Sequence, residues 1–383
     1  MRALFINSGF LGHRAVARLI RTAVASIDHV EASHIDLSDE LTLFDRAVRR
    51  LFSLQVAPSS GPAANLDLRR WREEMNVGLL ARRRIARLER TQAPFGILHF
   101  HTQAAAYASL DRMSRTPTIV SIDATQRLAS LEMSSALSRL SYAPNIVHDG
   151  CVFRAAGAII STSAWAARDL ASTYPDCGAK VHVLPYPVDL TAFDAAWAAA
   201  RIERARAAVR PRVLFMGGDF PRKGGFDLLD VWRAGEFGRR ASLDLVTDFP
   251  LERADLPDGV RVVAGVTPYS AAWRDVWRDA DLFVMVTRSE AFGMVFQEAA
   301  ASGMAAIGTR INAIPELIDD EVTGRLIAPG DRDALARALD DFLAHPDRRV
   351  AMGCAARRRI EQTGAPESYA RRLTDVMKGL VTP

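Results

Sequence analysis

Two clusters combine residue types and spacing suited to phosphate and sugar chemistry. The first is Met216-Gly217-Gly218-Asp219-Phe220-Pro221-Arg222-Lys223-Gly224-Gly225, which follows the apolar run RVLF and precedes the helix-like FDLLDVW. Glycines there let backbone N–H groups approach a ligand, and the N-terminus of the following helix favours an anion. Arg222 supplies a planar fork and Lys223 a point charge, a pair suited to a diphosphate. Lysine is scarce in this chain, present only at 180, 223 and 378. The second cluster is Ser289-Glu290-Ala291-Phe292-Gly293-Met294-Val295-Phe296-Gln297-Glu298, placed after the apolar run DLFVMV. Its two glutamates, Glu290 and Glu298, bracket a turn that runs into a helix, and carboxylates so placed can accept hydrogen bonds from sugar or ribose hydroxyls. The loop N–H groups from Phe292 to Val295 offer donors to a phosphate or ring oxygen. The plain alternatives are a glycine turn with solvated basic residues and two surface glutamates at a helix start.

The elements that must position these clusters alternate along the chain. RALFIN, GILHFH, PTIVSI and GAIISTS each put a short apolar run ahead of a helical stretch, as do VLFMGG, SLDLVTD, RVVAGV, DLFVMV and AAIGTR. Such alternation predicts an α/β fold with parallel sheets and crossover helices, here as two doubly wound, Rossmann-like halves facing a central cleft. Ligands bind such sheets at the carboxyl ends of the strands, where both clusters fall. The pattern lapses into the alanine- and arginine-rich AAWAAARIERARAAVR, so the boundary is expected at about 191–211. The predicted division is 1–195, 205–365 and a C-terminal helix over 366–383 packing back on the first domain. A hinge near 191–211 would serve closure over a ligand.

Composition narrows the function classes. With 383 residues, 49% hydrophobic and 25% charged, the chain is an ordinary globular one of about two domains. Cys151, Cys177 and Cys354 lie far apart and form neither a disulfide framework nor zinc-finger spacing. No apolar run reaches bilayer length and the N-terminus lacks a signal-peptide pattern, so a cytoplasmic location is expected. The net charge is +4, and residues 69–90 hold eight arginines against three glutamates. That density would suit the phosphates of an anionic membrane surface, although a solvated helix face is the commoner outcome. Nucleic-acid binding is not expected, because aromatic interleaving and helix-turn-helix or zinc patterns are missing nearby.

Taken together, MGGDFPRKGGFDLL, the E-x7-E pair Glu290/Glu298 and INAIPELIDDEVTGRLIAPGD resemble the C-terminal half of the retaining family-4 (group 1) glycosyltransferases of the GT-B fold. The resemblance covers most of 183–345. Its N-terminal echoes, the Gly9/Gly12 turn, His99-Phe100-His101 and AAGAIISTSAWAARDL, are weaker. It implies transfer of a sugar from a nucleotide-diphosphate sugar, of UDP or GDP type, to a hydroxyl of a glycan or lipid-linked acceptor, with retention and without a bound metal or other cofactor. By resemblance, Gly12, Gly218, Arg222 and Lys223 would meet the diphosphate, Glu298 the ribose, and Gly265, Val266 and Thr267 the base. Glu290 would contact the transferred sugar and take part in catalysis, with Phe292, Gly293 and Met294 beside it. Polysaccharide or glycolipid biosynthesis is the commonest setting for such enzymes.

Two departures from the family stand out. Gly217-Gly218 replaces a frequent Gly-Arg, leaving Arg222 as the nearest guanidinium. Asp123, in PTIVSIDATQ, stands where many members carry a histidine that touches the donor sugar. An ionised aspartate accepts hydrogen bonds rather than donating them, so Asp123 would bind a sugar hydroxyl or take the acceptor's proton, unless it caps the next helix with Thr125 nearby. His101, at the preceding strand end, is a candidate substitute for the histidine, or a structural residue. The competing readings are an epimerase or phosphorylase on the same fold, or a non-catalytic nucleotide-sugar-binding protein. A nicotinamide-dependent dehydrogenase is disfavoured by the lack of a glycine fingerprint.

Overall fold

The computed structural model describes residues 1–9, 13–25, 27, 29–39, 41–56, 67–133 and 135–381. The chain divides into two compact units, one of Met1–Tyr186 with Glu367–Pro383, the other of Pro187–Pro366.

The first unit is built on six parallel strands, β1 (Arg2–Asn7), β2 (Glu31–Asp36), β3 (Ile97–His101), β4 (Thr118–Ile122), β5 (Ala158–Ser161) and β6 (Val181–Val183), in the order β2-β1-β3-β4-β5-β6. β3, β4 and β5 are buried along their whole length, as expected of strands covered on both faces. Register runs Leu98 to Thr118 and Ile119 to Ala158, so the carboxyl ends of β3, β4 and β5 line up side by side. The C-terminal helix Pro366–Val381 packs on this sheet's β6 side: Arg372 donates to the Val183 carbonyl at 2.5 Å.

The second unit repeats the plan with β7 (Arg212–Met216), β8 (Ser242–Val246), β9 (Val260–Val263), β10 (Leu282–Met285), β11 (Ala305–Thr309) and β12 (Gly324–Ile327), ordered β12-β11-β10-β7-β8-β9. All pairings are parallel, and β7 and β10, which precede the two clusters, are neighbours. The core is aromatic-rich, with Phe215, Trp232, Trp273, Trp277 and Phe283 all buried.

The alanine- and arginine-rich stretch read as a boundary forms the helix Ala195–Ala207 within this unit. The reason is Arg201. Its buried guanidinium donates to the carbonyls of Ala280 (3.0 Å), Ser302 (2.6 Å) and Gly303, which ties the helix to the unit's core. A buried charge is tolerated only when hydrogen-bonded in this way. Burial, helped by the neighbouring Arg204 and Arg349 charges, pushes Arg201 down to about 10.

Candidate functional site

In the second unit, the turn after β7 and the turn after β10 bring Arg222, Lys223 and Glu290 together. Lys223 Nζ lies 3.5 Å and Arg222 Nη1 3.8 Å from Glu290 Oε2. Sequence places these residues about 70 positions apart, and the β7–β10 pairing closes that gap. Glu290 Oε2 is shielded from solvent and makes no hydrogen bond among the described residues. A buried carboxylate oxygen of that kind calls for a donor, and a ligand hydroxyl would supply one.

Backbone conformation sets this geometry. Gly224 has φ 79°, and a Cβ there would lie 2.2 Å from the Val286 carbonyl oxygen, so only glycine fits against the end of β10. Gly217 is overlain by the stem of Lys223, whose Cδ is 2.3 Å from where a Cβ would sit. Gly218 opens on clear space. Arg222 is cross-braced: Nε donates to Asp219 at 2.9 Å, Nη1 to the Ser289 carbonyl, and its own carbonyl accepts from Arg288 N at 2.8 Å. The Arg222 hydrogen bond in turn holds the Asp219 carboxyl below the usual range.

The helix that follows Glu290 spans Met294–Ala301, with Gly293 (φ 91°) before its first residue and Phe292 buried beneath. Glu298, on this helix, is 8% exposed and accepts from the Tyr269 hydroxyl at 3.2 Å. Gly265, with φ 71°, follows β9, and its N–H donates to Asp248 at 2.7 Å, with half-buried Val266 and exposed Thr267 continuing the loop.

Behind these loops, Asp227 binds Arg288 (2.6 Å) and Arg332 (2.8 Å). It thereby ties the helix Gly225–Ala234 to the turn after β10 and to the start of the helix Arg332–Ala344. Burial works against its charge, but the Arg332 and Arg288 hydrogen bonds prevail and its carboxyl lies below the usual range.

In the first unit, His101 ends β3 and Asp123 follows β4. Tyr186, three residues past β6, joins them: its hydroxyl donates to Asp123 Oδ1, and its Oη lies 2.6 Å from His101 Nε2. Capping of the helix Gln126–Leu131 falls to Thr125, which accepts from Leu128 N at 3.1 Å, so Asp123 is not the cap. The loop carrying Asp123 is anchored by Gln126, whose N–H donates to buried Asp149 at 2.9 Å and whose side chain donates to Glu74 at 3.0 Å. Gly12 lies outside the described residues.

Asp248, Tyr269, Asp227 and Tyr186 were not singled out in the sequence. Asp248 and Tyr186 stand just beyond strand ends and could have been questioned on that ground. Tyr269 and Asp227 carry no such signal. Among the described residues, no three His, Cys, Asp or Glu side chains converge as metal ligands, and no helix is long and apolar enough to cross a membrane.

Residues 251–359 match the family model of glycosyl transferases group 1. Over 234 residues the chain is 27% identical to a GDP-mannose-dependent alpha-(1-6)-phosphatidylinositol monomannoside mannosyltransferase of Mycobacterium tuberculosis, covering 52% of this chain and 56% of that protein. Over 90 residues it is 39% identical to a D-inositol 3-phosphate glycosyltransferase of Streptomyces coelicolor, 24% of this chain and 20% of that protein. The chain thus spans about half, or less, of these curated relatives. Sucrose-phosphate synthase from Thermosynechococcus elongatus superposes with TM-score 0.74 at 17% identity over 99% of both chains. HepE of Anabaena in complex with UDP superposes with TM-score 0.69 at 16% identity over 99% of this chain and 100% of that one. The fold is that of the GT-B glycosyltransferases, and the match to the group 1 family model is confined to residues 251–359 of the second unit.

Proposed function

We propose that this chain is a retaining, metal-independent glycosyltransferase of family 4. It moves a sugar from a nucleotide-diphosphate sugar, of UDP or GDP type, to a hydroxyl of a glycan or lipid-linked acceptor in polysaccharide or glycolipid biosynthesis. The observation that carries this reading is the meeting of Arg222 and Lys223 with Glu290 at the carboxyl ends of the paired strands β7 and β10. A relative whose name makes it GDP-mannose-dependent and a structural neighbour that holds UDP support the donor class.

In this reading Arg222 and Lys223 hold the diphosphate and stabilise the charge it gains as the bond to the anomeric carbon breaks, the electrostatic mode that usually contributes most. Gly218 leaves room for the phosphates. Glu290 accepts a hydrogen bond from a hydroxyl of the transferred sugar, with Phe292, Gly293 and Met294 shaping its surroundings. Glu298, oriented by Tyr269, accepts from the ribose hydroxyls, and the base lies along Gly265, Val266 and Thr267. Asp123 acts from the first unit as a hydroxyl-binding carboxylate.

The acceptor class brings in the first unit's surface. The arginines of the helix Arg69–Leu88 are largely engaged: Arg69 with Glu73 at 2.9 Å, Arg70 with Glu74 at 3.2 Å, Arg83 with Asp45 at 2.6 Å, and Arg72 and Arg82 with Asp67 and Asp111. The preceding helix, Leu43–Phe52, has no buried residue; Leu43 is 83% and Phe44 64% exposed, beside exposed Arg46, Arg49 and Arg50. An apolar edge flanked by arginines supports peripheral contact with an anionic membrane there.

The test is release of UDP from UDP-glucose and of GDP from GDP-mannose, with and without EDTA. Release from one donor, unaffected by chelation, is the expected outcome. Release that needs added magnesium would remove the metal-independent part of the reading.

A further inference from the structure

The string His101–Tyr186–Asp123 has a defined polarity. A tyrosine hydroxyl owns one proton, and here it donates that proton to Asp123 Oδ1. Tyr186 Oη must then accept from its other partner, so His101 carries its proton on Nε2, 2.6 Å away. Tyr186 and His101 are 2% and 1% exposed, and their rings pack edge to face at 5.5 Å, so neither can swing to water for a substitute partner. Asp123 is only half-buried, at the edge where a strand end meets solvent. Burial, then the Asp123 charge, holds the Tyr186 phenol well above its ordinary value, so it keeps the proton it donates. Buried Tyr369, on the C-terminal helix, adds a smaller push in the same direction.

We propose that Tyr186 is a positioning residue of the reaction: seated on His101, its hydroxyl fixes the Asp123 carboxylate as a one-directional acceptor for a hydroxyl of the sugar substrate at the carboxyl edge of the first sheet. The group recognised there must carry an O–H or N–H donor, because the ionised Asp123 carboxylate, which the Tyr186 hydrogen bond favours, only accepts. The catalytic part of this proposal rests on the glycosyltransferase reading. The string itself does not.

The experiment uses the full chain and the variants Tyr186→Phe, Asp123→Asn and the double variant. With the UDP-glucose or GDP-mannose release assay, Tyr186→Phe lowers kcat about tenfold while donor KM changes less than about twofold, the size of one lost hydrogen bond to a charged group. In the Asp123→Asn background the same change costs less than about twofold, because its effect runs through Asp123. Equal losses in both backgrounds would overturn the positioning role, since a merely structural tyrosine would act regardless of residue 123. A second readout needs no turnover: with 13C-labelled aspartate carboxyls, the resonance lost in Asp123→Asn titrates about one pH unit higher in Tyr186→Phe than in the wild type, since a hydrogen bond to the ionised carboxylate favours it. An unmoved midpoint would dismiss the string. A moved midpoint in a wild type that releases no nucleotide would instead keep the string and remove the glycosyltransferase reading.

Discussion

Lys223 Nζ lies 3.5 Å from Glu290 Oε2, across the paired ends of β7 and β10, with the stem of the lysine laid over Gly217. The cation that would meet phosphate is therefore held in place by the carboxylate that would meet sugar, and each depends on the other. Lys223→Ala is expected to lower kcat/KM for the donor by about 10- to 100-fold, the range for losing one charge-assisted hydrogen bond of about 1.5–3 kcal/mol. Steady-state kinetics beside a melting curve checks this. A loss no greater than that of a surface lysine would remove the diphosphate role.

The two glycines before this turn should behave differently. A Cβ at Gly217 would lie 2.3 Å from Lys223 Cδ, whereas one at Gly218 would meet nothing within 4 Å. Gly217→Ala should displace the flexible lysine stem, leaving the melting temperature nearly unchanged while nucleoside diphosphate affinity falls. Gly218→Ala should leave the free protein untouched and weaken affinity only by crowding the bound phosphate. Calorimetry with UDP and GDP on both variants decides it; unchanged affinity in both would argue that the diphosphate does not lie along this turn.

Glu298 and Tyr269 form a coupled pair, with the phenol donating to Oε1 at 3.2 Å. Glu298→Gln should weaken nucleotide binding by about 1–3 kcal/mol through the ribose, while a 2′-deoxynucleotide should bind wild type and variant almost alike. Equal discrimination between ribo and deoxyribo ligands in both proteins would reject the ribose role.

Asp149 supplies a pH test of the scaffold under the Asp123 loop. Fully buried, it accepts from Gln126 N and from the Tyr107 hydroxyl, both at 2.9 Å. Burial pushes its carboxyl up to about 8, against the pull of the Gln126 and Tyr107 hydrogen bonds. The folded protein therefore keeps a proton that the unfolded chain releases near pH 4, and folding stability falls as pH rises from about 4 to about 8. Asp149→Asn lacks this dependence. Between pH 4.5 and 8 the wild type should lose more melting temperature than the variant; parallel curves would show that Asp149 stays ionised.

On the surface, Leu43→Ser with Phe44→Ser should reduce sedimentation with anionic vesicles and leave nucleotide binding intact. Equal sedimentation of the double variant and the wild type would exclude this edge as the membrane contact.

Much of this arrangement was legible in the sequence, for physical reasons. Buried parallel strands must be continuous apolar runs, so RVLFM, LFVM and TIVSI announced themselves. The glycine turn stood out because only glycine fits where Gly224 meets the Val286 carbonyl. Partners joined only through the sheet left no local trace. Tyr186 lies 63 residues from Asp123 and 85 from His101, so its place just past β6 marks it as a residue to question but does not disclose its partners. Tyr269 and Asp227 were invisible for the same reason. The stretch at 195–207 read as a boundary because its alanines and arginines lack a strong apolar stripe; its burial depends on Arg201 finding three carbonyls, which spacing cannot show.

The most direct measurement is isothermal calorimetry of UDP and GDP, in the presence of EDTA, with the wild type and with Lys223→Ala. One nucleoside diphosphate should bind the wild type without metal, and Lys223→Ala should weaken it at least about tenfold, or about 1.4 kcal/mol, without altering the fold. Absence of binding by either nucleotide to a cooperatively folded wild type, or equal affinity in the variant, would contradict the assignment of this turn as the donor diphosphate site.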